Sequence, residues 1–233
     1  MFVNYAHRGA SEYCPENTML AFYTGIYMGA NGIETDVRRA KDGTLILFHD
    51  GKLDRVTDGT GAVSAYTWEE LAALRVHKNE LRDRIVTFED FLQHFAFRDI
   101  TFAIELKGEG VEHEVADLIY RYGIQDKCVV TSFQFDYIRE LKRYAPELEI
   151  GYLTKDTSDE LLENMKQIGC TEYCPKADTV TPENVEKWHA AGFRVRAWGV
   201  SNEALMRSVY DSGADGMTVN FPDKLVAYME EKN

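Results

Sequence analysis

TFAIELKGEGVEHEVADLIYRYGIQDKCVVTSFQFDYIRELKRYAPELEIGYLT, residues 101–154, reads as strand, helix, strand, helix, strand. Its strand candidates are the short apolar runs TFAIEL (101–106), KCVVTSF (127–133) and EIGYLT (149–154), with amphipathic segments between them. Strands that alternate with helices imply parallel β–α units. The same rhythm extends outward. FVNYAH (2–7) and GIETDV (32–37) lie upstream; EYCPK (172–176), RVRAWGV (194–200) and GMTVN (216–220) lie downstream, which makes eight candidates. Helix-start signals punctuate the intervals. Asn17 can cap a helix over 18–30, Thr67 with Glu70 and Thr87 with Asp90 resemble capping boxes, Pro182 follows Thr181 at a first helical position, and Ser158 and Ser201 can start two further helices. Eight β–α units in 233 residues predict an α/β fold of the closed TIM-barrel type, (β/α)8. An open doubly wound sheet is the runner-up, weakened because no GxGxxG follows any strand.

One interval breaks the rhythm. In RRAKDGTLILFHD (38–50), Asp42-Gly43 is a strong hairpin turn, so 44–49 is expected to pair back on 32–37. Residues 51–99 then form an insertion with two short helices, 67–75 and 87–96. The expected organisation is one TIM-barrel domain over 1–233 with this small insertion.

Composition narrows the function. Asp and Glu number 39 against 26 Lys and Arg, giving a net charge of −13. That balance argues against a nucleic-acid backbone or an anionic membrane as main partner. At 45% hydrophobic residues the chain can bury a real core. No stretch approaches the roughly 18 apolar residues of a membrane span, and MFVNYAHRGA at the N-terminus has neither a basic start nor a cleavage site. Cys14, Cys128, Cys170 and Cys174 lack zinc-site spacing and read as reduced structural thiols of a cytoplasmic protein.

Active-site groups of such barrels gather at the C-terminal ends of strands. His7 and Arg8 end one strand; Glu34 and Asp36, at i and i+2, point to one side of the next; His49 and Asp50 end the hairpin strand; Glu105 and Lys107 repeat the i, i+2 spacing. Three carboxylates from adjacent strands must raise a pKa or bind a cation, and an all-oxygen set suits Mg²⁺ or Ca²⁺. The bland alternative has Glu34 and Asp36 solvated or paired with Arg38 and Arg39. His7 and His49 are acid–base candidates near neutral pH, whereas His77, His94, His113 and His189 read as structural. Arg8 and Lys107 are anion-binding candidates, or salt-bridge partners of the carboxylates. The set suits an anionic phosphodiester: a cation neutralises phosphoryl oxygens while one imidazole accepts a proton and the other donates one.

These residues fall in motifs that resemble the bacterial glycerophosphodiester phosphodiesterase family over nearly the whole chain. HRGASEYCPENT (7–18), GIETDVRRAKDGTLILFHD (32–50), LDRVTDGTG (53–61), IELKG (104–108), SFQF (132–135), RVRAWGVSN (194–202) and GADGMTVNFP (213–222) occur in the family's order. The resemblance implies a cytoplasmic TIM-barrel hydrolase that cleaves glycerophosphodiesters to an alcohol and sn-glycerol 3-phosphate. It implies His7 and His49 as the catalytic pair, Glu34, Asp36 and Glu105 as ligands of a divalent ion (Mg²⁺ or Ca²⁺), and Arg8 and Lys107 on the phosphate. It also implies Glu16 and Asn17 in support and Trp198 near the glycerol, although Trp198 can equally be barrel filler. Asn220 stands where the family often has Asp. The partner implied is a small glycerophosphodiester, with neither nucleic acid nor stable membrane insertion, and a homo-oligomer is compatible. The attacking oxygen is the glycerol 2-hydroxyl or water. Competing readings are a lysophospholipase D, a non-catalytic phosphodiester-binding barrel, and a Schiff-base lyase using Lys107.

Overall fold

The computed structural model describes residues 2–232. The chain runs β1 (Val3–His7), α1 (Met19–Tyr27), β2 (Gly32–Arg39), β3 (Leu45–Leu47), α2 (Trp68–Ala72), β4 (Arg75–Lys78), β5 (Leu81–Arg84), β6 (Val86–Thr87) and α3 (Phe88–Phe95). It continues with β7 (Thr101–Leu106), α4 (Glu112–Arg121), β8 (Cys128–Ser132), α5 (Phe135–Tyr144), β9 (Glu149–Thr154), α6 (Asp159–Gln167), β10 (Glu172–Pro175), α7 (Pro182–Ala190), β11 (Arg194–Val200), α8 (Glu203–Asp211), β12 (Gly216–Val219) and α9 (Pro222–Lys232). The parallel order β1-β2-β7-β8-β9-β10-β11-β12 returns to β1, so the eight predicted strands close a TIM barrel. No helix among the described residues is long and apolar enough to cross a membrane.

Alternation along each strand divides two environments. Ile33 and Val37 of β2 and Phe102, Ile104 and Leu106 of β7 face the surrounding helices and join the main core with Phe22, Phe91 and Phe95. The residues between them, Glu34, Asp36 and Glu105, face the barrel interior, whose lower part holds Tyr5, Ala103 and Val129. Strand register then sets the site. His7 lies opposite Glu34 across β1 and β2, and Asp36 opposite Glu105 across β2 and β7. A slip of one residue would turn either partner into the helix layer.

The predicted hairpin forms, with β3 antiparallel to β2. Beyond it the chain departs from expectation. The helix expected over 67–75 ends at Ala72, because Arg75–Lys78 pairs with Leu81–Arg84 in a two-stranded sheet turning at Asn79, a left-handed residue (φ 52°). Two capping expectations also shift by one residue. Thr18, not Asn17, caps α1, and Asn202, not Ser201, caps α8. Asn17 is itself left-handed (φ 55°) and buried, which takes its side chain off the helix end and into the barrel mouth. Thr67 with Glu70 makes a reciprocal capping box, Thr87 caps α3, Ser158 caps α6, and Pro182 opens α7.

The turn after β1 is the tightest feature near the site. Arg8 (φ 54°) and Gly9 (φ 82°) are successive left-handed residues. A Cβ on Gly9 would stand 2.4 Å from the carbonyl carbon of Ala21 in α1. Gly9→Ala therefore combines left-handed strain with a backbone clash, and is expected to cost about 3 kcal/mol, measured as a lowered urea midpoint at unchanged m-value.

Candidate active site

The expected residues converge at the C-terminal ends of the barrel strands. His7, Arg8, Glu34, His49, Glu105, Lys107 and Trp198 line one pocket of about 280 Å³. Asp36 lies directly beneath, fully buried. Phe133, after β8, completes the apolar wall; its ring meets that of Trp198 edge-on at 4.8 Å. Trp198 is thus a half-buried pocket wall and not filler, with its indole N–H donating to the Thr154 carbonyl at 3.2 Å.

Three carboxylates in this space create a charge problem. Oxygens of Glu34, Asp36 and Glu105 lie within 4.8 Å of one another, and all three residues are buried. Burial, then repulsion from Asp36, pushes Glu34 up to about 8 and Glu105 up to about 7. Burial acts the same way on Asp36, but Arg8 and Lys107 override it and hold Asp36 well below the usual carboxylate range. Arg8 Nε lies 3.2 Å from Asp36 Oδ2, while Lys107 Nζ lies 2.5 Å from Glu105 Oε1 and 3.5 Å from Asp36 Oδ1. Asn17 donates from Nδ2 to Asp36 Oδ2 at 2.8 Å and accepts from Thr35 at 2.8 Å. The Arg8 N–H donates to Glu34 Oε2 at 3.1 Å.

Arg8 and Lys107 each pair with carboxylates, and each also lines the pocket. Arg38 and Arg39 do not pair with Glu34 or Asp36. Arg38 instead donates to the carbonyls of His49 and Lys107, stapling the two loops together, and Arg39 pairs with Glu114 on α4.

The acidic group fits a cation. Asp36 Oδ1 and Glu105 Oε1 are buried and share one ammonium, that of Lys107, at 3.5 and 2.5 Å. Their spread suits oxygens that share one ion at about 2.0–2.6 Å each, and a donor set of oxygens alone favours a hard cation. The four cysteines are buried and free, and supply no competing site.

The two imidazoles are oriented differently. His7 Nδ1 lies 2.6 Å from Asn220 Oδ1, which also accepts from Ser11. An amide oxygen only accepts, so Nδ1 carries the proton and Nε2 is left bare, 3.8 Å from Glu34. Burial and the neighbouring Arg8 push His7 well below the ordinary imidazole range. His49 is also lowered by burial, but its Nδ1 faces the Asp50 carboxylate at 2.7 Å. The other four histidines bind elsewhere: His77 the Thr57 carbonyl, His94 Tyr23, His113 Glu140, and His189 Asp215. Sequence reasoning took Arg38 only as an alternative partner of Glu34 and Asp36, assigned no role to Arg55, and left Asn220 only as a departure. The signals present were the charged pair after GIETDV, the arginine inside LDRVTDGTG, and the polar residue ending the last strand.

The chain also resembles known proteins. Residues 7–224 match the model of the glycerophosphoryl diester phosphodiesterase family. A glycerophosphodiester phosphodiesterase of Bacillus altitudinis is 34% identical over 239 residues, covering 97% of this chain and 98% of the relative. One from Caldanaerobacter subterraneus subsp. tengcongensis is 30% identical, covering 95% of each. A phosphodiesterase from Oleispira antarctica, solved in complex with the product sn-glycerol-3-phosphate, superposes with a TM-score of 0.89 at 25% identity, covering 98% of this chain and 96% of that one. With 218 consecutive positions spanned by the family model, 7 through 224, and relatives matched nearly end to end, this chain belongs to the glycerophosphoryl diester phosphodiesterase family.

Proposed function

We propose that the protein hydrolyses glycerophosphodiesters to an alcohol and sn-glycerol 3-phosphate. The observation that carries this is the strand register that stacks His7 on Glu34 and Asp36 on Glu105 within one pocket beside Arg8 and Lys107. Glu34, Asp36 and Glu105 would hold a divalent ion, Mg²⁺ or Ca²⁺. When bound, it would offset the negative charge of the phosphoryl oxygens. Arg8 and Lys107 add positive charge on the same group. In a chain of net charge −13, they focus positive potential where an anionic substrate must enter.

The hydrogen bonds divide the acid–base work. His7, neutral and with Nε2 bare, is the base. It takes the proton of the attacking oxygen as the phosphorus–alcohol bond breaks. His49, whose imidazolium the Asp50 carboxylate supports, gives its Nε2 proton to the leaving alkoxide. We assign the attack to the glycerol 2-hydroxyl, because no serine or cysteine stands beside a base; water then opens the cyclic phosphate. Trp198 and Phe133 give the glycerol carbons an apolar wall. Glu16 and Asn17 support Arg8 and Asp36 from behind. Lys107 is ion-paired with two carboxylates, which opposes the Schiff-base alternative. Four free thiols suit a reducing cytoplasm.

Glycerophosphocholine and glycerophosphoethanolamine are expected to release glycerol 3-phosphate in a coupled assay, to stop in EDTA, and to resume with Mg²⁺ or Ca²⁺. His7→Ala and His49→Ala should each lower kcat by about 10²–10⁴; near wild-type rates in either would remove that residue from the mechanism. A 2-deoxy glycerophosphodiester should be inert, and its ordinary turnover would assign the attack to water. In EDTA, Glu34→Gln should raise Tm by about 2–4 °C, since it removes one repelling carboxylate, and should abolish the further rise that divalent ions give the wild type. A lowered Tm in EDTA would mean that Glu34 is a structural charge.

A further inference from the structure

Arg55 lies outside the pocket, in the segment between β3 and α2, yet it joins the two halves of the site. Its Nε donates to Asp50 Oδ2 at 2.6 Å, and its Nη1 and Nη2 donate to the two oxygens of Glu16 at 2.8 and 2.7 Å. Each carboxylate spends its remaining capacity on a functional side chain. Asp50 Oδ1 faces His49 Nδ1 at 2.7 Å, and Glu16 Oε1 also accepts from Arg8 Nη1 at 2.9 Å. One planar guanidinium thus fixes, through one residue on either side, the ring of His49 and the fork of Arg8.

We propose that Arg55 is a positioning residue that keeps the Nδ1–H of His49 on Asp50 and holds Arg8 in the pocket. The proposal rests on the phosphodiesterase reading above. Stability alone is a poor account of Arg55. Its side chain is 47% exposed, and ion pairs that open to water contribute roughly 0–1 kcal/mol. Orientation is another matter. Without Arg55 the Asp50 carboxylate keeps one partner and is free to rotate, and the imidazole loses its fixed acceptor. Glu16 keeps only Arg8 and can draw it away from Asp36. Three donors in a rigid fork span both carboxylates, a geometry that a lysine ammonium does not reproduce.

The test uses the full chain with Arg55→Ala and Arg55→Lys, glycerophosphocholine as substrate, and ¹⁵N-histidine NMR. Both variants should keep the wild-type Tm within about 3 °C. Both should lose about 10–100-fold in kcat, the usual scale for a lost orienting contact, with KM changed less. Millimolar guanidinium should restore part of the Arg55→Ala rate, and NaCl at equal ionic strength should not. In the wild type the His49 resonances should report one tautomer, protonated at Nδ1; in Arg55→Ala they should report a mixture. Wild-type kcat in Arg55→Ala, or a loss of kcat with the His49 tautomer unchanged, overturns the proposal. An inactive wild type would count against the phosphodiesterase reading instead, and the His49 spectrum would still decide the positioning role.

Discussion

Three carboxylates buried within 4.8 Å of one another are the constraint around which the upper barrel is arranged. Left bare, they could not all ionise. Two cations and one amide relieve the repulsion. Arg8 and Lys107 lie against Asp36, Lys107 also lies against Glu105, and Asn17 donates to Asp36. Each is delivered by unusual local backbone or exact strand-end placement. Arg8 and Asn17 are both left-handed, and Arg8 is followed by a glycine that no larger residue can replace without meeting α1. Local strain of this kind persists where the surrounding structure fixes it and function uses it.

The relief is incomplete. Burial and mutual repulsion still push Glu34 up to about 8 and Glu105 up to about 7, and three carboxylates share two cationic side chains. A site whose carboxylates must either hold protons or share a cation, yet which is rimmed by arginine and lysine, has the charge pattern that suits a small cation within and an anion outside. Those two features together are what a metal-assisted attack on a phosphodiester requires. Both imidazoles line the same pocket. One is held by a neutral amide and the other by a carboxylate, and the proposed division into base and acid rests on that difference in partner.

The barrel was legible in the sequence because its strands are short apolar runs at regular intervals, and because caps such as Thr67, Thr87, Ser158 and Thr181 mark the helices between them. The pocket residues were legible because side chains at i and i+2 on a parallel strand share a face, which puts Glu34 with Asp36 at one strand end. Other features depend on contacts that no local pattern encodes. Asn17 reads as a helix cap until the left-handed turn aims it at Asp36. Asn202 and Ser201 are adjacent cap formers, and only the backbone selects between them. The hairpin over residues 75–84 has mixed polar strands, mostly exposed, so its alternation carries little hydrophobic signal. Arg38 read as a partner of Glu34 and Asp36 and Arg55 had no reading of its own; their contacts, to carbonyls of His49 and Lys107 and to the carboxylates of Asp50 and Glu16, depend on how the loops fold back. Asn220 read only as a departure from the family's Asp; in the structure its amide oxygen accepts from His7 without adding charge.

Diffraction from crystals grown with Mn²⁺, collected at the manganese edge, tests the central claim most directly. The account predicts one strong anomalous peak bonded to Glu34, Asp36 and Glu105 together, with Lys107 Nζ displaced from Glu105 Oε1. Saturating Mn²⁺ with no peak among these three residues, and Lys107 still paired to both carboxylates, would contradict it.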